Sequence, residues 1–131
     1  MKAAEINFVV QDSLQALELY ESIFDVERVE VTDMEKGANE AIFRIYDVTF
    51  HMLDENAEYH LYAPALDHMP SVWFNITVHS ISPVYDKAME LDCREIQPVT
   101  EMPGVGVSNA VFKDPFGHVW MLHEVHNEQA R

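Results

Sequence analysis

A pattern that occurs twice limits this chain to few folds. From Glu5 to Val10 the residues alternate, with Ile6, Phe8 and Val10 on one face and Glu5, Asn7 and Val9 on the other. The alternation returns further on: Val72, Phe74, Ile76 and Val78 share one face, and Trp73, Asn75, Thr77 and His79 the other. Asn7 and Asn75 stand 75 − 7 = 68 residues apart. Each lies on the polar face of a strand that leads into a helix start.

The segments after these two strands are also alike. Asp12 suits a helix N-cap, with Gln15 three residues on completing a capping box. Leu14, Leu17, Tyr20 and Phe24 then recur at helical spacing. Strands are expected at Val26–Thr32, near Ala41–Tyr46 and at Val48–Leu53, with a polar turn at Gly37 and Asn39. In the second copy Ser82 and Pro83 read as cap and first helical residue, with Val84, Ala88 and Leu91 as the buried stripe. Two more strands are expected near Arg94–Val99 and Val107–Lys113. The order is βαβββ, twice. Residues 56–71 connect the copies and contain Pro64 and Pro70; this stretch crosses between modules, carries part of a binding site, or both.

The last hairpin is the most explicit. Asp114-Pro115-Phe116-Gly117 suits a type I turn, with aspartate first, proline second and glycine fourth. Beyond it Trp120 and Leu122 point one way, and Val119, Met121 and His123 the other. Aligning the copies by face pairs His51 with Met121. That register keeps Val48, Phe50 and Met52 on the side of Trp120 and Leu122.

Composition narrows the function. The 131 residues suit one domain, read as a single unit of two repeats, about 1–55 and 72–126, and 48% of them are hydrophobic, enough for a core. Net charge is −15, which opposes nucleic acid and anionic membrane surfaces. The acids are spread along the chain, so a solvated acidic surface explains them better than a docking patch for a cation. No apolar run has the length of a membrane span. Met1 to Glu5 lacks the regions of a signal peptide, and Cys93 is the only cysteine; both point to the cytoplasm. Cys93 reads as a buried small hydrophobe.

The tandem βαβββ pattern resembles the vicinal-oxygen-chelate superfamily, which includes glyoxalase I, bleomycin-resistance proteins and extradiol dioxygenases. The likeness is greatest to its PhnB-like branch. It rests on Val10-Gln11-Asp12 leading to Ala16-Leu17-Glu18-Leu19-Tyr20 and Phe24, on Met52-Leu53-Asp54-Glu55, and on Asp114-Pro115-Phe116-Gly117-His118-Val119-Trp120-Met121. The resemblance implies an α+β fold, with tandem modules forming curved mixed sheets around a shared cleft and helices outside. It also implies a homodimer.

In metal-dependent members, side chains from the first and last strands of each module, typically His or Glu, reach into the cleft. Carried over, those positions are Glu5, His51, Trp73 and Met121. Only Glu5 and His51 suit a hard or borderline divalent metal. The resemblance therefore implies a metal site broken on its second-module side. His79 and His123 share the expected cleft side, but each is residues away from the matching position. His118 and His126 read as solvent-exposed.

The set expected to face inward is Glu5, Asn7, Val9, Thr49, His51, Leu53, Trp73, Asn75, Thr77, Val119, Met121 and His123. It mixes an indole and a thioether with amides, hydroxyls and imidazoles, a lining suited to a small organic molecule. Asn7, Thr49, His51, Trp73, Asn75, Met121 and His123 are the expected ligand contacts, with Trp73 placed to stack on a planar or cationic group. The expected activity is small-molecule binding without the usual catalytic metal. The alternative is a metal-dependent lyase, isomerase or dioxygenase using Glu5 and His51.

Overall fold

In the computed structural model, which describes residues 2–126, the first copy runs β1 (Ile6–Val10), α1 (Ser13–Ile23), β2 (Val26–Val31), β3 (Glu40–Ile45) and β4 (Val48–Asp54). The second runs β5 (Trp73–Thr77), α2 (Ile81–Glu90), β6 (Arg94–Met102), β7 (Val107–Lys113) and β8 (Val119–Val125). Between them lies one 3₁₀ turn, Ala57–Tyr59. The chain divides after Ala65 into two compact units. Met1 and residues 127–131, which the single-domain reading included, lie outside the described residues. Among the described residues, no helix is long and apolar enough to cross a membrane.

Each unit holds a four-stranded mixed sheet, ordered β1-β4-β3-β2 in the first and β5-β8-β7-β6 in the second. The first and last strands of each copy pair in parallel, and the remaining neighbours are antiparallel. The registers are equivalent: Asn7 sits opposite His51, and Asn75 opposite Met121. His51 and Met121 therefore occupy matching positions, as the alternation of faces requires. The fold is α+β, built from two βαβββ modules.

Each helix covers one face of its own sheet. In the first unit Leu17, Tyr20 and Ile23 of α1 meet Phe8, Phe43, Phe50 and Met52, all buried. Aromatic rings dominate this core: Phe43 and Phe50 stack at 5.3 Å, and Phe8 meets Phe50 edge-on at 6.0 Å. In the second unit Ile81, Tyr85 and Ala88 of α2 cover Phe74, Phe112, Trp120 and Leu122. The Tyr85 hydroxyl donates to the Glu95 carboxylate, and burial, reinforced by that carboxylate, pushes the phenol upward from its ordinary pKa. Strand ends are wetter than the alternation predicts, since Val48 and Val72 are exposed.

One of the two helix starts differs from the expectation. Asp12 caps α1 as predicted, accepting from the Gln15 amide at 3.1 Å. α2, however, begins at Ile81 with Ser80 as N-cap, two residues before Ser82, and no serine side chain caps it. Its buried face is correspondingly rotated to Ile81, Tyr85 and Ala88, leaving Val84 and Leu91 half-buried. The cap arrives from the sheet instead. Glu124 of β8 accepts the Ile81 amide at 2.8 Å, and the matching Asp54 of β4 accepts the Ser13 amide at 2.7 Å. A carboxylate three residues beyond His51 or Met121 thus ties each helix N-terminus to its sheet.

The closing hairpin forms as predicted. Gly117 donates to the Asp114 carbonyl at 3.1 Å and adopts φ +97°, a value open to glycine at little cost. Asp114 is buried and accepts from the Phe116 and His118 amides and from Trp120 Nε1 at 2.9 Å. His118, expected in solvent, is buried and stacks on Phe74 at 6.1 Å. Packing on Phe74 of β5 encloses its ring. His126 is exposed as expected.

Cys93 is buried, and its thiol is pushed up to about 12, chiefly by burial and then by the Asp114 and Asp92 carboxylates. At about pH 8 the reactive thiolate is therefore scarce. The expected result is slow labelling of the native protein by an aromatic disulfide reagent, rising more than about tenfold in denaturant. Equal rates in both states would contradict this burial.

Candidate functional site

The register of each sheet assigns the face turned away from its helix. In the first unit, rows run across β4, β3 and β2 as Thr49, Arg44 and Glu27, then across β1, β4, β3 and β2 as Asn7, His51, Ile42 and Glu30, then across β1, β4 and β3 as Val9, Leu53 and Glu40; Glu5 lies just before β1. In the second they run across β5, β8, β7 and β6: Trp73, Val119, Lys113 and Arg94; then Asn75, Met121, Val111 and Gln97; then Thr77, His123, Asn109 and Thr100. Eleven of the twelve residues expected to face inward share this face of their strands, and Glu5 lies just before β1. Asn7, Trp73, Asn75 and Thr77 are exposed; Thr49, His51, Leu53, Met121 and His123 are half-buried; Val119 is buried.

The centre of the first face is His51. Its Nδ1–H donates to Glu5 Oε1 at 3.1 Å, the only sense a carboxylate permits. Nε2 lies 3.6 Å from Glu40 Oε1, beyond hydrogen-bond length, and is shielded from solvent without a partner. Glu40 was absent from the expected set. It sits diagonally across the β3–β4 pair from His51, a relation visible only once the register is known.

The second face is chemically different. Trp73 is 56% exposed and stands at the sheet edge. His123 donates from Nδ1 to Asn109 Oδ1 at 2.9 Å. Asn109 was also missed, although the turn at Asp114–Gly117 pairs Lys113 with Val119 and so sets Asn109 against His123. Lys113 is buried and committed, donating to the carbonyls of Leu66 at 2.7 Å and His68 at 2.5 Å. The charged first face and the nearly uncharged body of the second show how far the copies have diverged.

A pocket of about 620 Å³ lies in the first unit, bounded by Glu35–Glu40, Leu53, Asp54, Asn56 and Tyr59 among others. Its walls are braced: Asp54 Oδ2 accepts from the Gly37 and Asn39 amides at 2.8 and 3.0 Å, and Asn56 Nδ2 donates to the Gly37 carbonyl at 2.9 Å. Gly37 turns at φ +100°, a region that side-chain-bearing residues rarely enter. None of the seven expected ligand contacts lines this pocket. It nevertheless shares Glu40 and Leu53 with the face that carries His51.

The residues present do not fit a resident catalytic metal of the family type. Glu5 and His51 meet, but by a hydrogen bond along their own edge. Trp73 offers no donor atom, and the Met121 thioether is soft. Among the described residues, no group of three or more His, Cys, Asp or Glu side chains is arranged to hold a metal ion.

Comparison with known proteins places this geometry in context. The chain is similar in structure to the fosfomycin resistance protein FosX from Listeria monocytogenes, with TM-score 0.74, 14% identity, and 100% of this chain and 98% of that one covered. That protein has also been crystallised with Mn(II) and a sulfate ion. A PhnB protein from Bacillus cereus, described as a putative 3-demethylubiquinone-9 3-methyltransferase, matches with TM-score 0.71 and 19% identity over 92% of this chain and 98% of that one. TioX from Micromonospora sp. ML1 matches with TM-score 0.67 and 12% identity, covering 94% and 95%. At these identities the likeness is one of fold. No curated protein matches. A family model does, over residues 2–122, a span that takes in the first βαβββ copy and the second as far as β8, and the chain belongs to the Glyoxalase/Bleomycin resistance protein/Dioxygenase superfamily.

Proposed function

We propose that this protein is a PhnB-like member of its superfamily that binds a small organic molecule, without the usual catalytic metal. The observation that carries the reading is the contrast between the two sides of each sheet. One side is an apolar core; the other presents Asn7, Thr49 and His51, or Trp73, Asn75, Met121 and His123, at exposed or half-buried positions. Sparse polar groups set among apolar walls are what a small-molecule surface requires. In the first unit that face adjoins, through Glu40 and Leu53, a pocket within the usual size range of ligand sites. The protein acts in the cytoplasm and pairs as a homodimer, the latter testable by light scattering.

A second reading has one observation in its favour, the 3.1 Å approach of Glu5 to His51. Both are able to ligate a divalent metal, and a metal-dependent lyase, isomerase or dioxygenase would use them.

Tag-free protein separates the two. Under the binding reading, exposure to Zn²⁺, Ni²⁺ or Mn²⁺ followed by dialysis leaves well under one equivalent bound. A panel of small organic molecules then contains compounds that raise the unfolding midpoint, by an amount equivalent to about 2.7 kcal/mol at a hundredfold excess over Kd. A compound seated on the first face is weakened by about tenfold in His51→Ala, and one seated on the second face in Trp73→Ala, with the unliganded midpoint nearly unchanged in each. One tightly held metal equivalent, lost in His51→Ala, would sink the binding reading in favour of the enzyme.

A further inference from the structure

We propose that Asn109 is a positioning residue: it holds His123 as the Nδ1–H tautomer, so that Nε2 serves as acceptor for a hydroxyl or amide N–H on an uncharged part of the ligand. The assignment rests on the reading of this sheet face as a ligand surface. It concerns a residue that the family positions do not include, since the matching strand positions are Trp73 and Met121.

The geometry is specific. Asn109 and His123 are directly opposed on β7 and β8, both half-buried, with Asn109 Oδ1 at 2.9 Å from His123 Nδ1. A carbonyl oxygen can only accept, so the proton resides on Nδ1 and the Nε2 lone pair is left free. Among the described residues no protein group bonds to Nε2, and the residue is half-buried.

The surroundings define the ligand chemistry. Thr77 lies opposite His123 on β5, Thr100 opposite Asn109 on β6, and Met121, Val111 and Asn75 fill the next row. None of these carries charge. The charged row of this face, Lys113 and Arg94, is four residues along β8 from His123, about 13 Å at the rise of a strand. A neutral donor therefore suits this position.

Long-range ¹⁵N correlation spectra of the labelled full chain at about pH 8, above the ordinary imidazole range, read the tautomer directly. His123→Gln identifies the signal. The expected result is protonated Nδ1 and bare Nε2 in the parent protein, a switch to Nε2–H in Asn109→Leu, and retention of Nδ1–H in Asn109→Asp, with the amide spectrum reporting that each variant is folded. Phenol, which donates a hydrogen bond, should then shift His123 Nε2, while anisole, which cannot, should not. The phenol response should weaken by about tenfold in Asn109→Leu. An Nε2–H tautomer in the parent, or one unchanged in Asn109→Leu, overturns the assignment even if phenol binds. The right tautomer with no response to phenol at His123 or Trp73 overturns the acceptor role together with the ligand reading on which it rests.

Discussion

Asp54→Ala is expected to lower the unfolding free energy by about 3–5 kcal/mol, a large share of what a domain of this size possesses. Asp54 is only 2% exposed and accepts three backbone amides, from Ser13 at 2.7 Å, Gly37 at 2.8 Å and Asn39 at 3.0 Å. Removing the carboxylate strands these donors at once and leaves the Ser13 amide at the start of α1 unpaired, although Asp12 still caps Gln15. Asp54→Asn keeps one carbonyl oxygen and should recover about half of the loss. Glu124, its counterpart, is half-buried and receives one helix amide, from Ile81, with His126 beside its other oxygen at 3.2 Å. Glu124→Ala should accordingly cost about 1 kcal/mol. Urea unfolding of the three variants gives the ordering; an Asp54→Ala protein within about 1 kcal/mol of the parent would refute the bracing role.

Trp120→Ala should be comparably damaging, at about 4 kcal/mol. The indole is fully buried, lies 4.8 Å from the Phe74 ring, and donates from Nε1 to Asp114. Alanine leaves a cavity where the largest side chain of the second core stood. Trp120→Phe preserves much of the volume but deprives a buried carboxylate oxygen of its indole donor, so about 2 kcal/mol is expected. That variant has a further use. The chain has two tryptophans, so Trp120→Phe leaves Trp73 as the sole indole emitter. Its spectrum should be that of an exposed indole in the free protein and should move to the blue when a ligand covers it. Thermal unfolding and emission spectra check both statements, and a buried-type Trp73 spectrum in the free protein would contradict the exposure on which its stacking role depends.

Much of the fold is legible in the sequence because it depends on local chemistry. Alternation assigns the faces of β1, β4, β5 and β8, since a strand's side chains have a period of two and a one-residue slip would turn every apolar residue outward. Asp12 announces α1, and Asp114-Pro115-Phe116-Gly117 announces the last turn, because cap and turn geometries demand those residues whatever surrounds them. The start of α2 escapes for the complementary reason. Ser82-Pro83 is a sound local signal, but Glu124, which lies 43 residues from Ile81, supplies the cap from across the fold. His118 escapes likewise, as nothing in its neighbours along the chain reveals the stacking on Phe74.

The sequence by itself determined the duplicated βαβββ order and the side of each strand that meets a helix. These are properties of residue type and spacing, which pleat and helix periodicity convert directly into position. Only the tertiary structure decided that Asp54 and Glu124 anchor the helices, that Glu40 and Asn109 flank the two histidines, and that a pocket opens beside Gly37. Each of these depends on which strands become neighbours and in what register. A hydrogen bond about 3 Å long joins atoms whose separation along the chain carries no record of it until the backbone has been laid down.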